Sequence, residues 1–326
     1  MENISQENII NSYEKIKKIK TELSKKIVGQ ENLIDSLLIG LFAKGHILVE
    51  GVPGLAKTLT VDSLSKTLDL GFNRVQFTPD LLPSDLIGSE IYNTKTNNFE
   101  IKKGPIFNNF ILADEINRAP SKVQSALLEA MAEKHITIGN DTFFLDSPFI
   151  VMATQNPIEQ AGTYKLPEAQ LDRFMLKVNV SYPNCDDEKT MYKKILTQEV
   201  EEIERVMTKK EIFEIQDLVS KIFISDSIIE YVTNIVDATR NPEKYDISNL
   251  KKYISFGVSP RAGLALLSAS RVVALMNNRS FVIPEDIKSI ANSCLSHRIV
   301  LSYEAMADDI SENQIVQNIL NSIDIV

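Results

Sequence analysis

The run Gly51-Val52-Pro53-Gly54-Leu55-Ala56-Lys57-Thr58 constrains this chain more than any other part of it. It follows the short apolar stretch His46–Glu50 and precedes a helix-compatible stretch from Lys57 to about Leu68. Strand, glycine turn and helix in that order open an α/β unit. The spacing nearly matches G-x-x-x-x-G-K-[ST], a loop whose backbone N–H groups curl around phosphate oxygens. In such a loop a lysine reaches the β- and γ-phosphates and a hydroxyl holds Mg²⁺. Lys57 and Thr58 fit those roles, and the whole run 51–58 together with Leu59 is expected to line the phosphate site. Ala56 departs from the pattern, which has glycine there. Its methyl is tolerable in the right-handed helical region, and only a positive φ would penalise it.

A triphosphate site of this kind needs an acid at the end of a second buried strand. Phe110-Ile111-Leu112-Ala113-Asp114-Glu115 supplies two. Asp114 is expected to hold Mg²⁺ through water, and Glu115 to activate the attacking water as a general base. Alone, the pair would read as an acidic helix cap after a core strand. Beside the loop, it reads as the opposite wall of a nucleotide cleft.

At the usual ~100–200 residues per domain, 326 residues imply about two domains. Residues 7–26 carry Ile9, Ile16, Ile19 and Leu23 at helical spacing, and a second helix spans about 31–43. Strands are expected at 46–50, 74–77, 110–113, 149–153 and 178–180, with a helix over 121–134 after Pro120. Residues 81–107 are less regular, and their polar run Asn93–Asn98 suggests a hairpin tip. Residues 136–145 alternate around Gly139-Asn140-Asp141, a second hairpin signal. After Pro183 the character changes. Residues 186–326 read almost wholly as helices, with caps and breaks at Thr208, Ser225, Pro242, Pro260 and Pro284, and 303–326 as one acidic closing helix. The expected division is therefore 1–185 and 186–326.

Lys and Arg number 35 against 44 Asp and Glu, a net charge of −9. That balance argues against a surface built to coat nucleic acid, though a local basic groove would be compatible with it. Cys185 and Cys294 are the only cysteines, which excludes a disulfide scaffold and a Cys-rich zinc site. The first thirty residues are polar and Lys-rich, without a secretory pattern, and no apolar run nears the ~18–20 residues that cross a bilayer. A cytoplasmic protein without membrane insertion is expected.

The loop, the acidic strand end and several longer stretches resemble the AAA+ ATPases, and within them the MoxR family. The resemblance rests on Ile27-Val28-Gly29-Gln30, GVPGLAKT at 51–58, QFTPDLLPSDLIG at 76–88, KGPIF at 103–107, LADEINRAP at 112–120, ATQNPIEQAGTYKLPEAQLDRF at 153–174 and SPRA at 259–262. Alanine before the loop lysine is a form this family uses. The resemblance implies a P-loop AAA+ three-layer αβα ATPase core with a parallel sheet, followed by an all-helical lid. It makes 81–107 the helix-2 insert and 136–145 the pre-sensor-1 hairpin. Val28, Gly29 and Gln30 would lie near adenine. Asn156 looks like sensor 1, orienting the lytic water. Arg173 looks like an arginine finger lent to a neighbouring subunit, where a permanently charged planar group stabilises the transferring phosphoryl. Arg118 is a second candidate for such a contact, with a local ion pair as the alternative. Arg261, after Pro260, looks like sensor 2 on the lid.

The same resemblance implies ATP and Mg²⁺ as ligands, a homo-oligomeric, hexameric ring, and chaperone-like remodelling of protein partners bearing a von Willebrand factor A domain. A nucleic-acid-dependent motor and the ATPase subunit of a metal-chelatase-like complex are the alternatives. The tip Gly139-Asn140-Asp141 has no basic residue, and Asp80, Asp85 and Glu90 offset Lys95, Lys102 and Lys103 in and beside the insert, which weakens the first of these.

Overall fold

The computed structural model describes residues 5–52, 54–156, 163–197 and 201–325. The chain opens with α1 (Gln6–Ser24), capped by Ser5, and α2 (Glu31–Phe42). Then come β1 (Ile47–Glu50), α3 (Lys57–Thr67), β2 (Phe72–Gln76), the short α4 (Pro83–Ile87), and the hairpin β3 (Gly88–Asn93) and β4 (Asn98–Lys103). β5 (Phe110–Asp114) leads through a 3₁₀ turn to α5 (Ser121–Glu133). A second hairpin, β6 (His135–Ile138) and β7 (Asp141–Phe144), precedes β8 (Ile150–Gln155), α6 (Glu168–Leu171) and β9 (Leu176–Asn179).

The five longest-range strands form one parallel sheet in the order β2-β5-β8-β1-β9. Chain order and spatial order differ because each crossover runs through a helix, and the carboxyl ends of all five strands emerge on one edge. Residues along each strand alternate between two cores. Ile47, Val49, Phe110, Leu112, Ile150 and Met152 face one, and Leu48, Ile111, Ala113, Val151 and Ala153 the other. Burial on both faces explains the unbroken apolar runs of these strands. α5, α4 and the two hairpins cover the second face, and α1–α3 the first. Together they make the three layers.

The remainder holds α7 (Cys185–Leu196), α8 (Lys209–Lys221), α9 (Asp226–Ala238), β10 (Ile254–Phe256), α10 (Pro260–Met276), α11 (Pro284–Leu295), β11 (Val300–Leu301), α12 (Tyr303–Ala307) and α13 (Glu312–Ser322). Thr208 and Ser225 cap α8 and α9, Pro242 opens a 3₁₀ turn, and Pro260 and Pro284 stand at the first helical positions of α10 and α11. Two expectations need correction. The lid is not all helix, because β10 and β11 pair antiparallel across it. The closing helix is also two helices, since Asp309 takes a left-handed turn (φ 55°) between α12 and α13. Apolar residues of α8–α11 and α13 join those of α1–α3 in one continuous core, so the lid is seated on the sheet's first face.

Candidate nucleotide site

The loop after β1, the first turn of α3 and the ends of β2, β5 and β8 enclose a cleft of about 430 Å³. Gly51, Gly54, Leu55, Ala56, Lys57, Thr58 and Leu59 form one wall, and Arg74, Gln76, Asp114, Glu115, Thr154 and Asn156 the other. Gly51 is required by space, because a Cβ there would lie 2.7 Å from the Val180 carbonyl oxygen. Gly54 is required by conformation, with φ at 87°. Ala56 is also left-handed, at φ 55° and ψ 17°, against the right-handed geometry expected for it. The loop must reverse there to point N–H groups inward before α3 begins. The methyl costs roughly 1–2 kcal/mol relative to a right-handed residue. Pro53 falls outside the described residues, and Val52 is half-buried beside the first core.

Lys57 is half-buried, and its Nζ donates to the Gly51 carbonyl oxygen at 2.7 Å. Burial pushes its pKa below the ordinary lysine value, while the charges of Asp114 and Glu115 pull it the other way. On the opposite wall Asp114 accepts two sets of bonds. Thr154 Oγ1 donates to Oδ1 at 2.6 Å, and Arg74 donates to Oδ2 through Nη2 at 2.6 Å and Nε at 3.0 Å. Glu115 is left-handed too (φ 57°), with its N–H donated to Thr154 Oγ1 at 2.8 Å. Its Oε2 accepts from Gln76 Nε2 at 2.7 Å and from Arg118 Nη1 at 3.0 Å. Non-glycine residues in this region persist where surrounding contacts fix them, and they cluster at functional sites.

Thr58 and Asp114 offer the oxygen donors that Mg²⁺ takes. Each Asp114 oxygen already accepts from protein donors, so the arrangement suits contact with the ion through water rather than direct ligation.

The expected residues do not all converge. Lys57, Thr58, Asp114, Glu115 and Asn156 share the cleft. Val28, Gly29 and Gln30 do not line it. Gly29 (φ 73°) faces Asp187 of α7, and buried Gln30 stands at the N-cap position of α2 without a side-chain capping bond. Arg118 makes the local ion pair with Glu115. Arg173 is exposed outside the cleft, with Nη1 donated to the Leu128 carbonyl oxygen of α5 at 2.7 Å. Arg261 stands in the first turn of α10, 70% exposed and 3.8 Å from Asp172. Three cleft residues escaped the sequence reading: Arg74, Gln76 and Thr154. Arg74 and Gln76 are two apart on β2, and the pairing of Gln76 with Asp114 in the sheet sets them against β5.

Fold and cleft define a P-loop nucleoside triphosphatase. Residues 46–176 match the family model described as ATPase family associated with various cellular activities (AAA), and residues 248–319 match an AAA lid domain. Chaperone MoxR1 of Mycobacterium tuberculosis is 45% identical over 303 residues, covering 93% of this chain and 80% of that protein. YeaC of Bacillus subtilis is 43% identical over 302 residues and 92% of each chain. A crystal structure of a Cytophaga hutchinsonii protein assigned as an ATPase superposes with a TM-score of 0.93 at 50% identity, over 98% of this chain and 97% of that one. The chain belongs to the MoxR family of AAA+ ATPases. Among the described residues no helix is long and apolar enough to cross a membrane.

Proposed function

We propose that the chain works as a homo-oligomeric ring, hexameric by family resemblance, in the cytoplasm. There it couples ATP hydrolysis to chaperone-like remodelling of a protein partner with a von Willebrand factor A domain. The observation that carries the ring is the position of Arg173, outside the cleft of its own chain and bonded to α5. That place supports a finger offered to a neighbour's site rather than to the cleft of its own chain.

Within the cleft, loop N–H groups receive the phosphates, and Lys57 transfers from Gly51 to the β- and γ-phosphates. Thr58 and, through water, Asp114 would hold Mg²⁺, which would offset phosphate charge when bound. Glu115 takes the proton of the attacking water, with Gln76 and Arg118 bonded to its Oε2 and fixing the carboxylate. As that water adds to the γ-phosphorus, the bond to the β,γ-bridging oxygen breaks, giving ADP and phosphate. Asn156 orients the water, and the neighbour's Arg173 stabilises the charge, a contribution worth about 10³–10⁵ in turnover for such fingers. Val28, Gly29 and Gln30 flank adenine, and Arg261 reports the γ-phosphate to the lid.

A protein client is supported over nucleic acid by the two hairpins. Phe99 and Phe144 are 69% and 80% exposed, Tyr92 is exposed against Phe99, and Ile91 is exposed on the same strand as Tyr92. Lys103 is engaged, its Nζ 4.9 Å from the ring centres of Phe107 and Phe143.

Mixing Arg173→Ala subunits with Glu115→Gln subunits tests the ring, since each supplies what the other lacks. Regained ATP turnover is expected, and no regain at any ratio would refute a finger acting across an interface. Glu115→Gln held in ATP should retain the protein client. Salt-sensitive stimulation of the native ATPase by nucleic acid would refute the client assignment.

A further inference from the structure

Asp172, the residue before the proposed finger, lies where three segments meet. It closes α6, and its carboxylate accepts from the lid at two places. Ser259, the N-cap of α10, donates its Oγ to Oδ2 and Oδ1 at 3.1 and 3.3 Å. Arg298, in the 3₁₀ turn after α11, donates Nε to Oδ1 at 2.8 Å. Arg261 approaches the same carboxylate only loosely, at 3.8 Å.

Arg298 does more than pair with Asp172. Its side chain is 3% exposed, and both terminal nitrogens are spent on backbone carbonyls. Nη2 donates to the Phe174 oxygen at 2.7 Å and the Asp172 oxygen at 3.4 Å. Nη1 donates to the Met175 oxygen at 3.3 Å and to the Cys294 oxygen of α11. Buried His297 adds Nε2 to the Phe174 oxygen at 3.1 Å. The carbonyls of residues 172, 174 and 175 are thus gripped on both sides of Arg173 by one planar fork rooted in the lid. Burying a guanidinium is costly and returns little stability even when well paired. A rigid fork with every nitrogen committed does fix backbone geometry, which a flexible ammonium would not.

We infer that Arg298 is a positioning residue that ties the lid of each subunit to the finger it lends its neighbour. When lid helices α10 and α11 shift, Arg298 and Ser259 carry Asp172 with them, and the 172–175 turn presents or withdraws Arg173. The inference rests on Arg173 acting across an interface. Misplacing a reacting group by about 1 Å costs on the order of 10²-fold in rate, so loosening this grip should cost much of what the finger supplies.

Arg298→Lys in the full chain keeps the charge and removes the fork. It is expected to bind a fluorescent ATP analogue and sediment as the native protein does, with turnover down on the order of 10²-fold. Mixing with Glu115→Gln subunits should restore turnover, because those subunits lend an intact finger to the intact cleft of the variant. Native turnover in Arg298→Lys overturns the inference. So does a fall that Glu115→Gln does not rescue while the Arg173→Ala mixture is rescued, because Arg298 would then act only inside its own lid. Failure of the Arg173→Ala mixture overturns the finger reading itself and this inference with it. Should Arg298→Lys not fold, Ser259→Ala at the same joint takes its place. A several-fold, rescued fall supports the tie, and native or unrescued turnover refutes it.

Discussion

Thr154→Val isolates one cleft residue that carries no charge and no role in the loop. Thr154 is 1% exposed, and its hydroxyl does two things at once. It donates to Asp114 Oδ1 at 2.6 Å and accepts the Glu115 N–H at 2.8 Å. Valine keeps the branched shape and removes both. A hydrogen bond to a charged group contributes ~1.5–3 kcal/mol, and an unmet buried N–H costs ~1–3 kcal/mol. The new methyl returns about 0.8 kcal/mol of burial. The net expected loss is roughly 2–5 kcal/mol. Unfolding entropy near 2.1 cal/mol/K per residue, over 326 residues, is about 0.7 kcal/mol/K, so a loss of ~3 kcal/mol lowers Tm by about 4 °C. Asp114 and Glu115 also lose their shared support. Removing a partner of this kind behind a carboxylate that holds a metal, the role proposed for Asp114, typically costs about 10–100-fold in metal affinity or activity. Scanning calorimetry and a phosphate-release assay measure both, with Thr154→Ser expected to recover most of each. Native Tm and native turnover in Thr154→Val would refute the role given to this hydroxyl, as would a Thr154→Ser variant as impaired as the valine.

Ala56→Gly should raise stability by up to about 1 kcal/mol with ATP binding retained, because glycine meets no penalty at φ 55°; a lowered Tm would refute the strain assigned to that turn. Lys57→Ala should abolish binding of a fluorescent ATP analogue at micromolar concentration, and native affinity would remove Lys57 from the phosphate site. Burial pushes His46 from 6.5 down to about 4 and His297 down to about 3, so the unfolded chain binds protons below pH 6.5 that the folded chain refuses. Stability is therefore full above pH 6.5 and falls as pH drops toward 4, by up to about 1.4 kcal/mol per pH unit for each histidine, which urea midpoints between pH 8 and 5 would check; a flat profile would refute the neutral burial.

The layers of the fold could be read from residues because their causes are local. An unbroken run such as Phe110–Ala113 has one explanation in a sheet covered on both faces, and caps such as Thr208 and Ser225 end helices by their own hydroxyls. The small β10–β11 pair was hidden because it joins residues more than forty apart by backbone bonds that leave no side-chain period. The break between α12 and α13 was hidden because acidic Asp308 and Asp309 suit a helix as well as a turn, and only the left-handed φ of Asp309 separates them.

The cleft shows the same division more sharply. Lys57, Thr58, Asp114 and Glu115 could be placed because loop and strand end are each contiguous in the chain. Arg74, Gln76 and Thr154 hold that acidic pair in place, yet each lies on a different strand from the residues it serves. Their partnership depends on the order β2-β5-β8 and on a register that sets Gln76 beside Asp114. A shift of one residue in β2 would turn Arg74 and Gln76 to the other face of the sheet and leave Asp114 and Glu115 without their cationic and amide partners. Nothing in the composition of Phe72–Gln76 fixes that register, since Val75 alone is buried while Phe72 and Asn73 are partly buried and Arg74 and Gln76 exposed. What fixes it is the pairing with β5, through the bonds from the Phe110 N–H to the Gly71 oxygen and from the Phe77 N–H to the Asp114 oxygen at the two ends of the strand. The chemistry of the acidic pair is thus written at 114–115, while its geometry is set by an edge strand whose place only the whole sheet determines.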